Sequence, residues 1–244
     1  MKKSSFFVLL LMLVTQFSMA QKKKVAVVTF YANKVVGFSD LGIGSEELIK
    51  EIFNLRDNPD FNLTPILNKY HDTFFNEYAK ELPFELLSEN EVCESEGYAQ
   101  FQPKYDLKKY EARDYLLFGK YKYIYEGFMG QANEIAMAKL FAEKADGVMF
   151  VSINFDLVKG FGVGGTATVK VRATTRLALY DKQGNKVFAF SEGENSKKTG
   201  VMIKGIPVLS PEKILPMCDS ALTELMGDLS KRIAKIVKKT AVKL

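Results

Sequence analysis

The chain has 244 residues, 47% apolar and 26% charged, which is enough apolar material for a folded core and excludes a disordered polypeptide. Its formal charge of +5 falls to +3 when Lys2 and Lys3 are set aside with the leader, and so near a balance gives no warrant for a nucleic-acid partner. Two cysteines and a single histidine leave little for thiol, imidazole or zinc chemistry.

Residues 1–20 read MKKSSFFVLLLMLVTQFSMA: a basic start, an apolar run from Phe6 to Val14, and small Ser18 and Ala20 around Met19. The run is far shorter than the roughly 20 residues that cross a bilayer. This predicts a signal peptide cleaved after Ala20, and a mature chain, 21–244, exported to the periplasm or beyond as one α/β domain. No cysteine stands near the cut, which argues against a lipid anchor.

Lys24 to Phe30 (KVAVVTF) is a continuous β-rich apolar run, as expected of a strand covered on both faces. A loop punctuated by Gly37, Gly42 and Gly44 follows, and Ser45 is placed to cap a helix carrying Glu46 and Glu47 in its first turn. Leu48, Ile49, Ile52 and Phe53 form its expected stripe. Thr64-Pro65 predicts a second helix start, with Ile66, Leu67, Tyr70, Phe74, Tyr78 and Leu82 at helical spacing up to Pro83. Phe84 to Leu87 reads as a short strand.

Residues 88–129 are crowded with aromatic side chains and read as an insertion with order of its own; Tyr121, Tyr123 and Tyr125 alternate at a strand-like period of two. Regularity returns with a predicted helix over 131–145, Ile135, Leu140 and Phe141 inward, stopped by Asp146 and a left-handed Gly147. Strands follow over 148–158, 166–180 and 186–192, the last two joined by the turn Asp181-Lys182-Gln183-Gly184-Asn185. A polar loop over 193–209 leads to Pro216, the expected start of a long last helix with Leu222, Leu225, Met226, Leu229, Ile233, Ile236 and Val237 along one side. The fold class implied is an α/β (α+β) sandwich: a mixed β-sheet with packed helices, a long C-terminal helix and an aromatic-rich insertion at about 88–129.

The KVAVVTF strand, the helix-Ala145-Asp146-Gly147-strand passage, the Tyr180 to Val187 hairpin (YDKQGNKV) and the long final helix resemble an exported superfamily. Its members include the curli-secretion lipoprotein CsgG, the amino-terminal domain of TolB and the penicillin-binding-protein activator LpoB. The resemblance is architectural and implies a non-enzymatic envelope role in binding, regulation or secretion. The lipid-bearing cysteine common in those relatives is missing, and the aromatic insertion has no counterpart in them.

Chemistry-bearing residues are sparse. His71 is the one imidazole available to a catalytic triad, and it sits on a predicted helix. Gly160-Phe161-Gly162-Val163-Gly164-Gly165 has the look of a phosphate loop, but leads into strand sequence where a helix start is needed. No loop carries the spaced aspartates of a calcium site. Cys93 and Cys218 form a candidate disulfide whose loop of about 125 residues would contribute about 4–5 kcal/mol. The basic side of the last helix (Lys231, Arg232, Lys235, Lys238, Lys239, Lys243) suits peripheral contact with an anionic membrane, or simple solvation. The aromatic insertion supplies the partner-binding candidates Tyr115, Phe118, Tyr121, Tyr123 and Tyr125: exposed, they stack on sugars or anchor a protein; buried, they extend the core. The reading that follows is an exported, non-enzymatic protein that binds or regulates another envelope component, protein or glycan, with no cofactor or metal. A subunit of a CsgG-like pore stands second, and a hydrolase with an unrecognised carboxylate pair third.

Overall fold

The computed structural model describes residues 22–41, 46–104, 113–127, 130–163, 166–204, 206–240 and 244, with side chains up to Ile233 and at Leu244. Residues 1–21, where the signal peptide is expected, Gly42, Gly44, Ser45, Tyr105, Tyr110, Phe128, Gly164, Gly165 and the last helix's lysines beyond Ile233 lie outside that description.

The elements in chain order are β1 (Lys24–Asn33), a 3-10 turn (Ser39–Leu41), α1 (Glu46–Asp57) and α2 (Thr64–Thr73). A π-helical stretch (Phe74–Tyr78) and a last turn (Ala79–Glu81) extend α2. Then come β2 (Glu85–Leu86), α3 (Glu89–Cys93), α4 (Glu96–Gln100), β3 (Tyr115–Leu117) and α5 (Ala132–Phe141). The chain closes with β4 (Gly147–Val163), β5 (Thr166–Asp181), β6 (Lys186–Asn195), β7 (Gly200–Ile203), β8 (Ile206–Pro207) and α6 (Pro211–Thr240). One mixed sheet runs β2-β1-β4-β5-β7-β8, with β3 also beside β1 and β6 beside β5. β1 is parallel to β2 and β4, and its interior residues are almost all buried, as an apolar strand sandwiched on both faces requires.

Helices α2 and α6 cover one face. Val169, Val171, Ala173, Leu177 and Leu179 of β5 join Tyr70, Phe74, Leu222, Leu225 and Leu229 in the larger core. Among the described residues, the other face is covered only at one end, where Ala178 and Tyr180 meet Tyr98, Ile124, Met137 and Phe141.

The α2 stripe explains its own irregularity. Ile66, Tyr70, Phe74, Tyr78 and Leu82 are all buried, each four residues after the last. In a 3.6-residue helix, every such step turns the stripe by about 40° away from the core. The wider π-helical turns at Phe74–Tyr78 rotate it back, so all five reach the same surface.

Several expectations need correcting. In α1, Leu55 and not Phe53 is buried; Phe53 is 43% exposed, beneath the Arg56 guanidinium at 4.6 Å. Thr64 is not a cap, since the flanking residue is Leu63, and Pro65 lies in the first turn. In α5 the buried residues are Asn133, Glu134, Met137, Ala138 and Phe141, with Ile135 and Leu140 on the flanks. Gly147 is not a left-handed cap but the first residue of β4, where an added Cβ would stand 2.6 Å from the Tyr180 carbonyl oxygen. The expected loop over 193–209 contains β7 and β8. The last helix starts at Pro211, not Pro216, and is about 45 Å long. Its apolar stripe is used against the core, so in the described part none of that side is left to lie in a bilayer. Cys93 and Cys218 are free thiols. Their helices lie against opposite parts of the sheet, α3 on β1 and α6 on β5, β6 and β7.

Strand β5 changes partners along one edge. Arg172 to Tyr180 pair with β6, and Thr166 to Val169 with β7. Ser196 fills the gap: its amide donates to the Val171 carbonyl at 2.7 Å, and its hydroxyl accepts from the Val171 amide at 3.1 Å.

Candidate functional site

Where the cover of the second face ends, the segment from Tyr121 to Glu126 crosses the sheet without joining it. Its backbone is held by side chains. Thr29 donates to the Lys122 carbonyl at 2.7 Å, and the Lys122 amide donates to the Tyr98 hydroxyl at 2.8 Å, which in turn donates to the Val28 carbonyl. The buried Asn133 amide donates to the carbonyls of Tyr125 and Lys104, and Glu134 accepts from the Gly127 amide. The two polar residues that α5 buries are therefore clamps for this segment.

Between the segment and the open sheet lies a cleft of about 170 Å³, lined by Tyr31, Ser152, Asn154, Arg176, Tyr125 and Glu126 over a floor that includes Thr29 and Phe150. Glu126 is its electrostatic centre: Arg176 donates to both carboxylate oxygens at 2.7 and 3.0 Å, Tyr180 donates a further bond, and Lys186 stands at 3.4 Å. Burial alone would raise the Glu126 pKa, but the Arg176 and Tyr180 hydrogen bonds and the charges of Arg176 and Lys186 hold it below the usual value. Tyr31 is pushed up to about 12, chiefly by burial against the opposing bond to Ser152, and so keeps its proton. Asn154 is half-buried, and its amide has no protein partner among the described residues. Tyr125 is 40% exposed at the rim.

The cleft falls below the roughly 300 Å³ at which sites for drug-sized ligands begin. It accepts one ring or one side chain, the end of something larger. Two tyrosines beside an unpartnered amide and a guanidinium suit a group with an apolar face and a polar edge.

The predicted aromatic candidates separate. Tyr125 reaches the cleft. Tyr121 is buried beside Phe30, ring centroids 6.2 Å apart. Tyr123 is buried, stacked on the half-buried Tyr115 at 3.9 Å and edge-on to Tyr31 at 5.0 Å, so the two form a wall behind the cleft. Phe118 is half-buried and stacks on His71 at 3.5 Å, while His71 Nε2 bonds Glu89, tying α2 to α3. Burial pushes the Cys93 thiol up to about 11. Asp156 is raised by burial and by Asp40, but the Asp40 carboxylate accepts from Arg172 at 2.7 Å and Asp156 lies directly under Gly37. Gly160–Val163 is strand, the outer end of β4. Among the described residues, no group of three or more His, Cys, Asp or Glu is placed to hold a metal, and no helix is long and apolar enough to cross a membrane.

Tyr31, Asn154, Arg176 and Glu126 escaped the sequence reading. They come from β1, β4, β5 and the insertion and meet only through the sheet register, Tyr31 opposite Ser152 and Ser152 opposite Arg176. No local signal announces such a meeting.

No protein-family model matches the chain, and no curated protein matches it in sequence. Among solved structures it is similar to one described as a homologue of the neuraminyllactose-binding hemagglutinin from Helicobacter pylori, at 7% identity and a TM-score of 0.36. That alignment covers 91% of this chain and 90% of the other. A lipoprotein from Neisseria meningitidis is similar at 9% identity and a TM-score of 0.35, covering 87% of this chain and 99% of its own. The neighbours are thus a hemagglutinin-like protein and a lipoprotein, and similarities this low carry no argument about what this chain does.

Proposed function

We propose that the chain is an exported, non-catalytic envelope protein that holds a saccharide group of another envelope component in the Tyr31–Tyr125 cleft. The observation that carries this reading is the unpartnered Asn154 amide beside a half-exposed tyrosine ring, in a cleft sized for one ring. The leader at 1–20 supports export. The resemblance to CsgG, TolB and LpoB supports a binding role over a bond-making one. In the cleft, the Glu126 carboxylate is already engaged by Arg176, Tyr180 and Lys186, a poor arrangement for a general acid or base.

Calorimetric titration of the protein with oligosaccharides released from the envelope tests it. Binding is expected, weakened about tenfold by Tyr125→Ala and by Asn154→Ala, as loss of one contact of about 1.4 kcal/mol requires. Binding indifferent to both changes overturns the site, and cleavage of the bound saccharide overturns the non-catalytic role. The reach of the β4–β5 ladder past the end of β1 favours, as a second reading, a subunit of a ring-forming secretion channel. That reading requires a large assembly in size-exclusion chromatography.

A further inference from the structure

Beyond Ile153, where β1 stops pairing with β4, the β4–β5 ladder continues as an arm joined by β7. A bulge between Lys159 and Gly162 resets its faces. The register then places Val163, Thr166 and Ile203 in one row across the three strands, and Thr168 beside Val201 in the next. Phe161 stands two residues before Val163 on the same side. Phe161 is 80% exposed, Val163 72%, Ile203 53% and Val201 48%. The described residues include six large exposed apolar side chains, and these are four of them. The arm's other face is anchored: Val169 and Met202 are buried there, beside Met217 of α6.

Charge is as one-sided as exposure. The stretches 157–171 and 196–209 contain five lysines and no acidic residue. Lys197 pairs with Glu224 at 2.8 Å. Lys159, Lys198 and Lys204 are exposed and have no ion pair among the described residues. An exposed apolar face on an arm whose two stretches carry lysines and no acid, with Lys204 directly after Ile203, complements a surface with negative headgroups above an apolar interior.

We propose that this tip docks on an anionic lipid surface, with Phe161, Val163, Val201 and Ile203 entering the headgroup boundary, Lys204 beside them meeting the lipid charges and the arm's other lysines adding longer-range attraction. The docking is independent of the cleft, so either proposal stands without the other.

The chain contains no tryptophan, so Val163→Trp makes the full chain report on the tip alone, whatever the leader contributes to sedimentation. With vesicles of phosphatidylglycerol and phosphatidylcholine at low salt, its emission is expected to shift to the blue and to be quenched by brominated lipid. A Phe53→Trp reporter, on an exposed helix face elsewhere, is expected to stay unchanged. Lys204→Gln is expected to lower the partition coefficient about fivefold, and Val201→Asp to abolish the shift with the far-ultraviolet circular dichroism intact. No shift with these vesicles overturns the proposal. So does an equal shift with pure phosphatidylcholine, which removes the role of charge. A shift that follows protein concentration without lipid also overturns it, in favour of a second copy seated on the tip.

Discussion

On one face of the sheet, β5 sends Val169, Val171, Ala173, Leu177 and Leu179 under α2 and α6. On the other, among the described residues, only Ala178 and Tyr180 at the near end are covered, and Arg172, Thr174 and Arg176 are left half-exposed. The same strand thus serves a closed core with its odd positions and an open surface with most of its even ones. The covered face is fixed chiefly by packing, with the Tyr70–Thr175 and Tyr78–Met226 hydrogen bonds tying α2 to β5 and to α6. The open face is free to carry recognition, and both proposed sites lie on it, the cleft where the roof ends and the apolar tip at the far end.

The contrast breaks first at the covered face. Leu225→Ala, at a fully buried position, is expected to cost about 2–5 kcal/mol of stability in urea denaturation while saccharide binding by the folded fraction is unchanged. A loss below about 1 kcal/mol would mean that α6 is not sealed on the sheet. Next comes Glu126→Gln, which leaves Arg176, Tyr180 and Lys186 short of their shared acceptor and is expected to cost about 1–3 kcal/mol at neutral pH. The folded-state pKa of Glu126 lies below its ordinary 4.5, so its stabilisation is complete above that value and is lost as pH falls through the folded one. Denaturation midpoints of wild type and variant are therefore expected to converge below about pH 4.5, and a constant gap would refute the assignment.

Ser196→Ala sharpens the division within β5 itself. It removes an acceptor from the Val171 amide and a donor to the Lys198 carbonyl, and is expected to cost about 1–2 kcal/mol. Amide exchange is expected to accelerate at Val169 and Val171, and not at Leu177. The smallest effect belongs to Tyr125→Ala, which is expected to change the melting temperature little, within about 0.5 kcal/mol, while weakening cleft binding about tenfold. A stability loss as large as that of Leu225→Ala would make Tyr125 a core residue.

What the sequence disclosed follows the same division. β1 was legible because a strand buried on both faces is apolar at every position, and α2 because its four-residue repeat survives the π-helical turns. The 181–185 turn was legible from Asp181, whose carboxylate accepts from the amides of Gln183 and Asn185, and from Gly184 at φ +83°. β7 and β8 were not: Val201 and Ile203 point outward and Met202 inward, among glycines and lysines that resemble a loop. Period two in Tyr121, Tyr123 and Tyr125 could not tell a ladder from a segment clamped by Tyr98, Thr29 and Asn133, residues distant in the chain. Helix α6 was placed by its stripe and mis-started at Pro216 because two prolines stand near its beginning and Pro211 already supplies the first position.

The serine that bridges the two partners of β5 has a consequence for how such a chain varies. By completing the hydrogen bonds of Val171 itself, it makes the inner and outer stretches of the hairpin two separately closed circuits. Residues added or removed beyond it alter how far the projection extends without disturbing pairing at its base, so reach is a quantity this architecture can adjust by itself.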